Sequence, residues 1–122
     1  MPDTASKRPA ATEAVRIVLA CLDDMKAEDT ITIDLNGKTS IADAMVVTSG
    51  RSNRHVSSVA DSVIESLEKA GVKGIRVEGK RHGDWVLIDA GDVIIHVFRP
   101  EVRAFYDLEK MWAGAAGRKK TN

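Results

Sequence analysis

The sequence predicts a single α/β domain built on one mixed sheet of about five strands flanked by helices. Three observations carry that expectation. At 122 residues the chain falls within the usual ~50 to 200 of one compact domain. Its apolar residues recur with helical spacing in three stretches and with strand spacing in five, in the order α-β-β-α-β-β-β-α and without internal repeat. One of the strand stretches, Val93-Ile-Ile-His-Val-Phe98, is apolar on both faces, as a strand deep inside a covered sheet must be.

The elements follow in order. Met1 to Pro9 has no apolar period and reads as a loose lead-in. From Ala10 to Lys26, Val15, Val18, Leu19, Leu22 and Met25 form one helical face. Ile31, Ile33 and Leu35 alternate with polar residues, and Asn36-Gly37 closes that strand with a turn. Ala44 to Thr48 suits a buried strand. Ser52 is placed to cap a second helix whose face is Val56, Val59, Ala60, Val63, Ile64 and Leu67, with Gly71 ending it. Gly74 to Gly79 is a short strand, and the strand-helix-strand spacing before it suits a crossover between parallel strands. Trp85 to Asp89 and Val93 to Phe98 form a hairpin around Ala90-Gly91. Pro100 and Glu101 suit the first turn of a third helix carrying Phe105, Leu108 and Trp112. The domain is therefore expected over residues 10–112, between the 1–9 lead-in and a basic tail, 113–122, with nothing to bury.

Composition removes several classes of function. Lys plus Arg (18) balances Asp plus Glu (18), so the chain as a whole offers no positive field to concentrate nucleic acid. The longest apolar run, Ile17 to Leu22, has six residues, far short of the ~20 that span a bilayer, and no signal pattern precedes it; a cytoplasmic protein away from membranes is expected. A single Cys21 supports neither an internal disulfide nor a thiolate zinc site. His55, His82 and His96 are widely separated, so no metal motif is expected and no cofactor either. The phosphate-binding, dinucleotide-binding, nucleophile-elbow and zinc-protease signatures are all missing.

Some residues still carry chemistry. Thr48 to Asn53 joins a strand to a helix N-terminus, where backbone N–H groups can meet an anion, although such a turn is more often simply a cap. Arg51, Arg54 and His55 crowd cationic or potentially cationic groups at the positive helix end, a locally unfavourable placement that suits an exposed partner contact. His96 alternates with Ile94 and Phe98 and reads as a buried imidazole satisfied by a neighbour. Asp89 and Asp92 bracket the hairpin turn, which favours a turn role over acid–base or metal chemistry. Trp85 suits core packing and a binding hot spot equally well.

Four blocks together are more specific. Asp43-Ala-Met-Val-Val-Thr-Ser-Gly-Arg-Ser-Asn-Arg-His-Val56, Val77-Glu-Gly79, Trp85-Val-Leu-Ile-Asp-Ala-Gly-Asp-Val-Ile-Ile-His-Val97 and Arg103-Ala-Phe-Tyr-Asp-Leu-Glu-Lys-Met-Trp112 resemble, in order and spacing, the motifs of the ribosomal silencing factor family, Iojap/RsfS. The resemblance spans about Val15 to Trp112. It implies a translation repressor and not an enzyme: a protein that binds the large ribosomal subunit through its protein fourteen and blocks joining of the small subunit under nutrient limitation. It also implies a nucleotidyltransferase-like frame without the metal site, because Ser49-Gly-Arg-Ser52 leads into the helix with no D-x-D pair to hold a metal.

Carried over by motif, the partner-binding residues are Trp85, Asp89, Gly91 and Asp92 together with Ser52, Arg54 and His55. Arg51 joins them as a contact to peripheral rRNA phosphate beside Arg54. Asp43-Ala-Met45 lacks the aromatic residues some members carry there, and Ala90 is smaller than the usual turn residue. A homodimer is compatible with this reading. The alternatives are an enzyme, a nucleotidyltransferase or hydrolase using Asp89, Asp92 and His96, and an RNA-binding module, which five aromatic residues and no stacking motif disfavour.

Overall fold

The computed structural model describes residues 11–36 and 42–102. Its elements are α1 (Ala11–Asp24), β1 (Glu28–Asp34), β2 (Ala44–Ser49), α2 (Asn53–Lys69), β3 (Arg76–Glu78), β4 (Trp85–Asp89) and β5 (Val93–Phe98). The five strands form one sheet in the order β1-β2-β5-β4-β3. The mixed five-stranded α/β domain is thus the observed fold. Only β2 and β5 pair in parallel; the other three pairs are antiparallel. Two antiparallel steps from β5 bring β3 parallel to β2, so α2 does cross between parallel strands, but β5 and β4 lie between them.

The buried strands alternate their side chains between two apolar layers, as the pleat requires. Ala44, Val46, Val86, Ile88, Val93, Ile95 and Val97 face α1 and α2 and form the larger core with Val18, Leu22, Val56, Val59, Val63 and Leu67. On the opposite face Ile33, Met45, Val47, Ile94 and Phe98 form a second cluster, joined by the half-buried Ile31, Trp85, Leu87 and Val102. β5 is central, buried at every residue, and its sequence alone indicated this.

The two helices are set differently. α2 begins as expected: Ser52 is extended (φ −149°, ψ 169°) and its hydroxyl accepts from the backbone N–H of His55 at 3.0 Å. It ends where Gly71 takes φ 101° and the Val72 N–H returns to the Leu67 carbonyl at 3.0 Å. α1 packs through most of the expected face: Val18 and Leu22 are buried, Val15 and Met25 pack against the core, and Leu19 alone turns outward. Its buried residues are Ala14, Val18, Cys21 and Leu22, whereas Leu19 is 36% exposed. The stretch from Val15 to Leu22 is apolar nearly all round, so spacing alone leaves two overlapping faces. The small Ala14 and Cys21 settle the choice by letting α1 lie close to α2, where the Cys21 thiol donates to the Ser62 hydroxyl at 3.4 Å.

β3 is shorter than the Gly74 to Gly79 expected, because Gly74 (φ 71°) and Gly79 (φ 85°) take conformations that break a strand. The chain is helical at 100–102, where the third helix was placed. Its stripe of Phe105, Leu108 and Trp112, the 1–9 lead-in, the basic tail and Gly37 of the expected turn all lie outside the described residues.

Gly79 and Gly74 offer a controlled comparison. A Cβ on Gly79 would lie 2.1 Å from the Trp85 carbonyl oxygen, whereas one on Gly74 would meet nothing within 4 Å. Gly74→Ala should therefore cost only its backbone strain, about 1 kcal/mol, and Gly79→Ala about 3 kcal/mol or more. Urea unfolding of the two variants checks this; equal losses would show that the β3–β4 loop relaxes around the added methyl.

Candidate partner-binding face

The sheet face away from α1 and α2 carries the residues of greatest interest. Pairing registers lay them out in rows: Ser49, Phe98 and Trp85 in one, Val47, His96 and Leu87 in the next, then Met45, Ile94 and Asp89. Trp85 is half-buried at the start of β4, directly opposite Phe98, and their rings stack with centroids 5.0 Å apart. His96 and Phe98, two residues apart on β5, stack at 5.7 Å with planes only 5° from parallel. The Trp85 indole Nε1–H donates to His96 Nδ1 at 3.1 Å. Trp85 is therefore neither a deep core residue nor a freely projecting one: one side of the indole is fixed on the sheet by stacking and a hydrogen bond.

His96 is buried and polar, and burial lowers its pKa from 6.5 to about 4 because the charged ring would lose its hydration. The neutral ring is also the one that can accept from Trp85, with its proton on Nε2. The expectation of a buried imidazole satisfied by a neighbour is met, and the neighbour is Trp85.

Asp89 stands on the same face as Trp85 and Leu87, roughly 13 Å along β4 from the tryptophan. Its Oδ1 accepts from the Gly91 N–H at 3.0 Å, which shapes the hairpin turn with Gly91 at φ 90°, and its Oδ2 lies 3.9 Å from Arg76. Asp92 serves through its backbone, its carbonyl accepting from the N–H groups of Asp43 and Ala44 at 2.8 and 3.2 Å. The hairpin thereby anchors the start of β2. No contact joins His96 to Asp89 or Asp92 among the described residues, nor is there a metal-binding group of three or more His, Cys, Asp or Glu side chains.

The remaining expected residues sit at the other end of the sheet, beside Trp85. Gly50 donates to the Phe98 carbonyl at 2.8 Å, which seats the β2–α2 turn over the end of β5. There Ser52 is a cap, Arg54 is exposed, and Arg51 is exposed with Glu28 3.9 Å away. His55 corrects an expectation: it is half-buried, not exposed. Its Nδ1 accepts from the Arg51 N–H at 2.9 Å, and its Nε2 donates to the Met25 carbonyl at 2.9 Å, so the ring clamps the end of α1 to the turn. The sequence shows Arg51, Arg54 and His55 crowded at a helix end but not that one ring bridges two backbone segments.

Sequence reasoning also missed Asn53. Its Nδ2 donates to the His82 carbonyl at 2.8 Å and its Oδ1 accepts from Arg99 at 2.9 Å, tying the β2–α2 turn to the β3–β4 loop and to the residue after β5. Exposed Lys80, Arg81 and His82 stand in that loop, but Lys80 is paired with Asp61 at 2.6 Å, and Glu101 pairs with Arg99. Asp84 is exposed beside them, so this end is mixed in charge and not a strong basic patch.

Comparison with known proteins adds an independent finding. The chain matches the family model described as "Ribosomal silencing factor during starvation" over residues 8–122. It is 50% identical over 98 residues to a ribosomal silencing factor RsfS of Zymomonas mobilis, covering 80% of this chain and 74% of that one. A crystal structure of a Chromobacterium violaceum protein superimposes with a TM-score of 0.83 at 40% identity, covering 93% of this chain and 92% of the other. A mouse protein named for mitochondrial assembly of the ribosomal large subunit is 28% identical over 101 residues, 80% of this chain and 44% of its own.

The buried histidine makes stability depend on pH. Its pKa is lower folded than unfolded, so between about pH 6.5 and 4 the unfolded chain binds a proton that the folded one does not. Stability should fall through that window on acidification, by about 2 kcal/mol from pH 8 to pH 5. Denaturant titrations of the wild type and His96→Asn measure it: the variant should lose that part of the slope, and an unchanged slope would place its origin elsewhere.

Proposed function

The chain belongs to the ribosomal silencing factor family, and on that premise we propose that it represses translation by binding the large ribosomal subunit through protein fourteen and blocking small-subunit joining. The single observation that carries the binding mode is the half-buried Trp85, stacked on Phe98 and hydrogen-bonded to His96 on the sheet face that α1 and α2 leave uncovered. A stable interface needs roughly 800 Å² on each partner and concentrates its energy in a few aromatic anchors. Trp85 supplies the anchor, Leu87 extends the apolar strip, and Asp89 and Asp92 add acidity at its far end, which complements a basic ribosomal protein.

Such a factor works by occupying space. It requires no turnover and no cofactor. Arg51 and Arg54 lie at the Trp85 end of the sheet and reach toward rRNA phosphate in this reading, adding a modest, salt-dependent attraction. The enzyme alternative draws no support from the geometry. The Asp89 carboxylate is committed to Gly91 and Arg76, and His96 Nδ1 is committed to Trp85.

Trp85→Ala tests the binding mode. Because the indole covers Phe98 and is itself half-buried, its loss should cost about 2 kcal/mol of stability while leaving a folded domain. Large-subunit binding should weaken about thirtyfold, as truncated hot spots do. Both must be measured on one sample. Native affinity in a folded variant would remove Trp85 from the interface.

A second expected outcome concerns chemistry. Incubation with any nucleoside triphosphate and magnesium or manganese should give no transfer or hydrolysis above a heat-killed control. Turnover that vanished in Asp89→Asn would overturn the non-enzymatic reading.

A further inference from the structure

Burial alone does not account for His96. It sits in the central strand, buried at every residue, between Ile94 and Phe98 on the same face, where an aliphatic side chain would avoid the cost of burying an imidazole. What the ring does there is specific. It accepts the indole proton of Trp85 from the next strand, diagonally across the register, while lying parallel to Phe98, the ring on which Trp85 stacks. Stacking alone leaves an indole free to slide and rotate in its plane. A hydrogen bond from Nε1–H to a ring buried in the central strand removes that freedom, because the acceptor cannot move without the strand.

We propose that His96 is the positioning residue for the partner anchor, its Nδ1 holding the Trp85 indole in one in-plane orientation on Phe98 before the large subunit arrives. This rests on the reading of Trp85 as anchor. Ordering the indole in advance lowers the entropy lost on binding, which is how a residue that never touches the partner raises affinity. The tautomer follows from the role: Nδ1 must be unprotonated to accept, so the ring proton sits on Nε2.

The test separates holding from filling. His96→Leu fills the site without an acceptor, and His96→Asn replaces Nδ1 by an amide oxygen at nearly the same distance from the backbone. Protein labelled at the indole nitrogens, in a Trp112→Phe background that leaves Trp85 as the only tryptophan, reports the Trp85 Nε1–H resonance and its exchange with solvent. In His96→Leu that resonance should shift, exchange should speed up about tenfold, and co-sedimentation with large subunits should weaken about tenfold. In His96→Asn both should return to within about threefold of the parent. If His96→Leu does not fold, His96→Phe, a ring without an acceptor, carries the same expectation.

Unchanged indole exchange and affinity in the acceptor-free variant would overturn the proposal, as would equal losses in the leucine and asparagine variants. Failure of the anchor reading looks different. Trp85→Ala would then bind normally while His96→Leu still released the indole proton.

Discussion

The whole domain depends on one strand being buried on both sides. β5 lies at the centre of the sheet, paired in parallel with β2 and antiparallel with β4, and every one of its residues is buried. Its two faces do separate work. Val93, Ile95 and Val97 seat α1 and α2 through the larger core, while Ile94, His96 and Phe98 underlie the opposite face. Because side chains alternate with a period of two, a one-residue slip in register would send His96 among the helix-packing valines and Val97 to the place of the aromatic stack. The register of β5 thus fixes fold and candidate interface together.

The ends of the sheet inherit their geometry from this arrangement. At one end the β2–α2 turn is held by Gly50 on the Phe98 carbonyl, by the His55 ring across to Met25, and by Asn53 across to His82 and Arg99. At the other, the hairpin turn is closed by Asp89 on Gly91, and the Asp92 carbonyl receives the start of β2. Several residues that seem to offer catalytic or ligand chemistry are therefore occupied in joining segments. Ser52 caps, Asp89 turns and His55 bridges. Among the described residues, β4 presents the half-buried Trp85 and Leu87, a shape and an apolar strip that suit the proposed action by obstruction.

The fold was legible where periodicity had one solution. Val93–Phe98 reads as a central strand because six consecutive residues leave no polar face except His96, and α2 reads cleanly from Ser52 to Gly71 because its cap, stripe and terminator agree. The face of α1 was legible in Val15, Val18, Leu22 and Met25 but not at its edge, since Leu19 and Cys21 lie on overlapping stripes and only the close approach to α2 buries Cys21 and leaves Leu19 out. The family was readable from four ordered motifs, but the jobs of their residues were not. That His55 would span to Met25, or that the even balance for Trp85 between core and interface would resolve as a half-buried ring held by His96, depends on contacts across 30 and 11 residues of sequence. Local pattern carries no record of such pairs.

The central claim is that this domain acts by binding one ribosomal subunit. Its most direct test is sedimentation of the purified protein with isolated large and small ribosomal subunits, each alone, through a sucrose cushion. The account predicts saturable, near-stoichiometric recovery with the large subunit and none with the small. Recovery with neither, or equally with both, would contradict it.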